Sequence, residues 1–148
     1  MTETYVPSPS EQVSDQVARY EASNGADGGT LEGRPVVILT TTGARTGAIR
    51  KNPVMRIPYG DNYIAVASAA GAPTHPAWYR NLTAHPDLSV QDGAVKSRFR
   101  AREVFGEEKT QAWAVAEQFW PHFPDYRAKA GAREIPVLVL EPVEDGQS

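Results

Sequence analysis

The chain reads as an antiparallel α+β domain of about six strands, mostly joined as hairpins, with a few short helices inserted. Three observations carry that reading. Apolar, β-rich runs of strand length recur at 35–42, 63–68 and 135–140. Hairpin-type turns follow or join the strand runs: Gly43 to Gly47, Tyr59-Gly60-Asp61-Asn62 and Asp92-Gly93. Helical periodicity is too sparse to alternate with the strands as βαβ units, so an antiparallel sheet or barrel is expected rather than a doubly wound parallel sheet. With 148 residues, 41% hydrophobic and 22% charged, the chain suits one globular core.

The elements follow in order. Ser8-Pro9-Ser10-Glu11 predicts a helix start, with Ser8 as cap, Pro9 in the first helical position and Glu11 completing a capping box. Val13, Val17 and Tyr20 then share one face, a thin stripe that predicts weak docking. Ser23 to Thr30 is rich in glycine and turn formers and reads as a flexible connector, which sets a helix and arm over 1–30 apart from a main domain over 31–148. Pro35 to Thr42 predicts a strand buried on both faces, and the Gly43–Gly47 turn leads into a second strand over Ala48–Ile57, interrupted near its start by Asn52-Pro53. Tyr63 to Ser68 predicts another buried strand whose residues shrink toward its end. Gly71 to Pro76 breaks it, and Pro76 suits the first position of a short helix through Leu82, capped by Thr74 or His75. Leu88–Gln91 and Ala94–Val104 flank Asp92-Gly93 as a hairpin. Gly106 to Phe119 predicts a helix with Trp113, Ala116 and Trp120 on one face; His122 to Arg133 is expected to be irregular; Ile135 to Leu140 closes as a strand.

Composition removes several function classes. The absence of cysteine excludes disulfides, iron–sulfur clusters and thiol nucleophiles. The three histidines, His75, His85 and His122, show no ligand-type spacing, so no metal site is expected. Neither a GxSxG elbow nor a Walker loop is present. A net charge of −3 argues against nucleic acid as a partner. The first residues do not resemble a signal peptide and no long apolar run occurs, so a cytoplasmic location is expected.

Three segments are left to carry chemistry. The first is Leu39 to Pro53, where two glycines, Thr40-Thr41-Thr42 and the cations Arg45, Arg50 and Lys51 fall in one hairpin. Backbone N–H groups, hydroxyls and positive charge so gathered suit a phosphate or carboxylate tail. Ser68-Ala69-Ala70-Gly71, at the end of a neighbouring strand, would let a flat ligand come close to the backbone. The second is Pro76 to Asn81, which sets Trp78 and Asn81 on one helix face, an aromatic plane beside an amide. The third is Trp120 to Tyr126, three aromatics suited to an apolar mouth, with Tyr126 carrying their one hydroxyl as a candidate proton donor. A solvated turn, a core tryptophan with a satisfied asparagine, and a packed core edge account for the same residues without a ligand.

Thr-Thr-Thr-Gly43, Gly47, Arg50-x-Asn-Pro53, Ala-Ser68, Pro76-x-Trp-Tyr-x-Asn-Leu82 and Ile135-Pro-Val-x-Val-x-Glu-Pro142, in this order, resemble the deazaflavin-dependent nitroreductase family over about Leu31 to Pro142. The resemblance implies a split β-barrel (FMN-binding-like) and an oxidoreductase that uses coenzyme F-420, a flat deazaflavin with a phosphate and a polyglutamate tail. It implies that Ala44, Arg45 and Thr46 meet the anionic end and that Arg50 and Lys51 continue the positive wall. Asn52, Pro53, Val54 and Met55 would run along the ring, as would Val66, Ala67, Ser68 and Ala69. Ala77, Trp78, Tyr79, Arg80 and Asn81 would border it. The implied reaction passes a hydride to a quinone, nitroaromatic or activated alkene, with Ser68 or Tyr126 orienting or protonating the acceptor. Trp120, Phe123 and Tyr126 stand where nitroimidazole-reducing members carry three tyrosines, so two hydroxyls are missing, which weakens the case for nitro-drug reduction and leaves quinone reduction. Ala69 stands where some relatives have lysine. The alternatives are an FMN-dependent reductase of the same fold and a non-catalytic deazaflavin-binding protein. The expected partners are a small-molecule acceptor and at most a peripheral membrane surface, for a monomer or homodimer.

Overall fold

The structure is a computed structural model and describes residues 4–131 and 133–143. Its elements are α1 (Glu11–Ser23), β1 (Thr30–Leu31), β2 (Arg34–Thr42), β3 (Ile49–Met55), β4 (Pro58–Tyr59), β5 (Asn62–Val66), α2 (Ala77–Ala84), β6 (Asp87–Asp92), β7 (Val95–Val104), α3 (Gly106–Phe119), α4 (Phe123–Ala130) and β8 (Val137–Pro142), with a single 3-10 turn at Ala69–Gly71. The pairings among these strands are antiparallel and run β1-β2-β6-β7-β8-β5-β4, with β3 on the other side of β2; the one parallel contact among the described residues is the bridge from Tyr5 to Ile49 at the start of β3. The two edges β3 and β4 are joined only by Arg56-Ile57. There the Arg56 N–H donates to the Pro35 carbonyl and the Ile57 carbonyl accepts from the Ile64 N–H. The sheet therefore curls and nearly closes at that point. Farther along, β3 pairs with β2 and β5 with β8, and the two are not paired with each other. That gap is the split in the barrel.

Side-chain alternation sorts the core. One face of the sheet supplies Val37, Leu39, Ala65, Ala67, Leu88, Val90, Phe99, Leu138 and Leu140, the enclosed interior, which α2 plugs with Trp78 and Leu82. The opposite face of β5 and β8, Ile64, Val66, Val137 and Val139, packs under α3 and α4 through Ala112, Trp113, Ala116, Trp120 and Phe123. Val36 and Ile38, on the outer face of β2, pack under Val17 and Tyr20 of α1. Strands buried on both faces read as continuous apolar runs, as the 35–42 and 63–68 segments do.

Several local expectations need correction. The N-cap of α1 is Ser10, whose Oγ accepts from the Val13 N–H; Ser8 caps only the Ser10 N–H, because the helix begins after Pro9 and not at it. The thin stripe of α1 does not dock weakly. Tyr20 is 2% exposed, and its hydroxyl accepts from the Gly93 N–H at 2.7 Å and lies within hydrogen-bond reach of the Val36 and Gln91 carbonyls. The segment after α1 is also tied down, since Gln16 Nε2 donates to the Gly28 and Thr30 carbonyls. Pro76 is the N-cap of α2 rather than its first helical residue, and β3 runs straight through Asn52-Pro53, because an edge strand tolerates a missing N–H. Residues 123–130 form a helix where irregular chain was expected; Pro124 sits in its first turn, a position where proline favours a helix.

Candidate active site

The split holds a cleft of about 320 Å³ lined from one side by Pro53, Val54 and Met55, from the other by Val66, Ser68 and Ala69, with Trp78 on α2 and Trp120, Phe123 and Tyr126 at the α3–α4 end. A second hollow, of about 350 Å³, shares Leu31, Pro53, Pro76 and Trp78 with it and continues along Asn52 and Ala77 under Gln12, Val13 and Gln16 of α1. The two form one groove with Trp78 and Pro53 at its waist.

Strand geometry divides the run that the sequence presents as continuous. Register pairs Arg50, Asn52 and Val54 with Thr41, Leu39 and Val37, on the interior-facing side; Lys51, Pro53 and Met55 pair with Thr40, Ile38 and Val36, on the side that faces α1. Lys51 is accordingly not part of an open positive wall. Its ammonium meets Glu21 Oε2 of α1 at 2.6 Å and lies 4.7 Å from the Tyr5 ring centroid. The guanidinium groups of Arg45 and Arg50 have no ion pair or hydrogen bond among the described residues, so theirs is the positive charge the hairpin leaves uncommitted.

Most hairpin amides are spoken for. The Gly43 N–H donates to the Ala48 carbonyl, the Gly47 N–H to Gly43, and the Ala48 N–H to Thr46 Oγ1. The Ala44 N–H donates to Asn81 Oδ1 at 3.0 Å, so it is not open to an anion. The N–H groups of Arg45 and Thr46 have no protein acceptor among the described residues. Asn81 is 7% exposed and donates from Nδ2 to Thr41 Oγ1 at 3.1 Å. It is thus the strut that fixes the hairpin against α2. Trp78, 6% exposed, belongs to the barrel core and to the groove wall at once.

The other α2 candidates do not converge. Tyr79 turns to β7 and donates to Glu103 Oε1 at 2.6 Å; burial, then that carboxylate, push its hydroxyl up to about 12. Arg80 is exposed, and Ala67 is sealed in the interior. By contrast, the structure brings Ser68, Trp120, Phe123 and Tyr126 into one cleft. Neither the Ser68 nor the Tyr126 hydroxyl has a protein hydrogen bond among the described residues, which leaves both able to meet an acceptor.

The floor beside Ser68 is an unusual turn. Ala69, Ala70 and Gly71 have φ of 47°, 54° and 78°, consecutive left-handed residues that cost backbone energy at the alanines. Arg133 holds the turn: its guanidinium donates to the carbonyls of Ser68 (2.7 Å), Ala72 (2.8 Å) and Ala67 (3.3 Å) and meets His75 Nδ1 at 2.8 Å. Burial, then the charges of Arg133 and Arg80, hold the His75 imidazole below its ordinary value, in keeping with a neutral ring accepting from Arg133. At Gly71 a Cβ would lie 2.8 Å from the Tyr126 carbonyl and 2.8 Å from Lys129 Cβ, so glycine is what lets α4 close on the turn. Nothing in the sequence around Arg133 or Gly71 signals this knot, nor the groove contacts of Leu31, Glu32, Ile57 and Pro76; they arise from distant segments meeting.

A family model described as F420H(2)-dependent quinone reductase matches residues 12–142. The chain belongs to that family. It is 34% identical over 127 residues to the F420H(2)-dependent quinone reductase Rv1261c of Mycobacterium tuberculosis, covering 83% of this chain and 85% of that protein. Among solved structures, an F420-H2 dependent reductase matches with a TM-score of 0.68 and 43% identity over 73% of this chain and 95% of its own. Another, described as a domain-swapped dimer, matches with a TM-score of 0.70 and 40% identity over 90% of this chain and all (100%) of its own. The fold is therefore the split barrel of the F-420-dependent reductases, and the protein is an oxidoreductase of that class. Among the described residues no cluster of three or more potential ligands could hold a metal, and no helix is long and apolar enough to cross a membrane.

Proposed function

We propose that this protein reduces quinones with reduced coenzyme F-420, and that the groove is where both meet. The observation that carries the reading is the continuity of the groove. It runs from Asn52 and Ala77 under α1, through the apolar waist at Pro53 and Trp78, to Ser68 and Tyr126, and the unpartnered Arg50 stands two residues before Asn52 on the same side of β3, with Arg45 in the turn that leads into that strand. The residues fit the cofactor: Arg45, Arg50 and the Arg45 and Thr46 N–H groups would hold its anionic end. Asn52, Pro53, Val54, Met55, Val66, Ser68, Ala69, Ala77 and Trp78 would border its ring. When bound and reduced, the deazaflavin supplies a hydride, a two-electron donor.

The chain's own residues do the rest. Trp120 and Phe123 shut the far end against water, and Ser68 or Tyr126 hydrogen-bonds a quinone oxygen and stabilises the charge that builds there. Asn81 acts by fixing the hairpin, and Lys51, Tyr79 and Arg80 lie outside the binding set. With hydroxyls at Ser68 and Tyr126 and apolar rings at 120 and 123, the mouth suits quinones and activated alkenes better than nitroimidazoles. We assign the protein to the cytoplasm with at most peripheral membrane contact. It acts as a monomer or homodimer, since one chain builds the whole groove.

Two measurements test this. Adding menadione to protein loaded with reduced F-420 should discharge the cofactor signal in a stopped-flow trace; no turnover with any electrophilic acceptor would overturn the enzyme reading. Calorimetric titration should show tighter binding of F-420 than of FMN, and the reverse order would reassign the cofactor.

A further inference from the structure

The cleft carries one formal charge, and it is negative. Among its lining residues are Ser68 and Tyr126 as neutral polar groups, no lysine, arginine or histidine, and Glu32 at the rim. Glu32 sits in an awkward place for a glutamate. β1 and β2 pair at Leu31↔Arg34, which makes Glu32-Gly33 a two-residue hairpin loop, and its φ angles, 50° and 79°, are those of a type I′ turn. The first position of such a turn favours asparagine, aspartate or glycine, whereas glutamate has no short side-chain bond to offset the left-handed backbone. A strained residue kept at the edge of a reaction cleft points to a use for its side chain. No hydrogen bond or ion pair engages the Glu32 carboxylate among the described residues. The nearby cation on the same hairpin, Arg34, keeps its charge but does not line the cleft: it donates to the Phe119 carbonyl at 3.0 Å and stacks 5.9 Å from the Trp120 centroid, so Glu32 is the nearer charge to an acceptor and Arg34→Gln is the control for the other.

We infer that Glu32 is a specificity-determining residue that biases the cleft toward neutral and cationic acceptors and against carboxylated ones, an inference that rests on the reductase reading above. Its field acts on the acceptor at entry and in the cleft. One carboxylate several ångström away across a partly hydrated mouth is worth roughly three- to tenfold in relative kcat/KM.

The test uses three 1,4-naphthoquinones on one scaffold, bearing a neutral, a carboxylate or a trimethylammonium substituent. The wild-type protein should prefer the cationic over the anionic quinone, and 0.5 M sodium chloride should shrink that preference. Glu32→Gln should cut the cationic-to-anionic ratio by roughly three- to tenfold, and Glu32→Asn should do the same while raising the thermal unfolding midpoint, because asparagine relieves the turn. The same quinones titrated against tryptophan emission of the cofactor-free protein give a second readout, since Trp78 and Trp120 line the cleft. A ratio unchanged by Glu32→Gln in both assays, or one that follows Arg34→Gln instead, overturns the inference. Failure to turn over even the neutral quinone overturns the reductase reading, while the quenching titration still decides the role of Glu32.

Discussion

Replacing Asn81 with alanine should loosen the hairpin from α2 and lower stability and F-420 affinity together. The side chain makes two bonds, accepting from Ala44 and donating to Thr41, at 3.0 and 3.1 Å. The two ends are not equal. Ala44 is exposed, so water takes the place of Oδ1, and that loss is about 0.5–1 kcal/mol. Thr41 is 2% exposed, and its hydroxyl loses a partner that water cannot easily replace, at a cost of about 1–2 kcal/mol. The sum, roughly 1.5–3 kcal/mol, corresponds to a fall of about 3–12 °C in the unfolding midpoint of a domain this size. Asn81→Asp separates strut from charge. A carboxylate still accepts from Ala44, and the Thr41 hydroxyl can turn to donate to it, so the hairpin stays tied to α2, although desolvating the charge at this buried position carries its own stability cost. The added negative charge beside the hairpin should nonetheless weaken F-420 binding. Urea unfolding followed by tryptophan emission and calorimetric titration with F-420 read the two effects. Wild-type stability and affinity in Asn81→Ala would refute the strut, and undiminished affinity in Asn81→Asp would show that the anionic end lies elsewhere.

Arg45→Ala and Arg50→Ala should each weaken F-420 binding by about 1–3 kcal/mol, whereas Lys51→Ala should change it by less than about 0.5 kcal/mol, because that ammonium is engaged by Glu21; calorimetry distinguishes them. Tyr20→Phe should cost about 1–2 kcal/mol in urea unfolding, since the Gly93 N–H loses its acceptor in a partly buried setting, with kcat per folded molecule unchanged. His75 should make stability pH-dependent. The unfolded chain takes up a proton below about pH 6.5 that the folded site resists, so stability is full above that pH and falls on acidification; His75→Asn should flatten the slope between pH 6.5 and 5 relative to wild type.

Local chemistry made much of this molecule readable from its residues, and non-local geometry hid the rest. The helix over Gly106–Phe119 was legible because Trp113, Ala116 and Trp120 recur at helical spacing, and the antiparallel sheet was legible from its turns. The helix over 123–130 was not, because only Phe123 is buried in it and its amphipathic signal is slight. At the hairpin the residue types pointed to an anion, yet period-two alternation decides which cations remain available. Arg50 and Lys51 are neighbours in sequence and face opposite sides of β3, so α1 takes one charge and leaves the other. A list of basic residues therefore overstates the positive wall, and only register, which depends on β2 across the turn, corrects it. The same holds for Arg133, which lies 65 residues from the Ser68 carbonyl it clamps. Three of its partners are backbone carbonyls and the fourth is the His75 ring, 58 residues away, so no local motif marks the pairing. The chemistry of the cleft is written in residue types, but the strained turn that positions Ser68 depends on a contact that exists only once the barrel has closed.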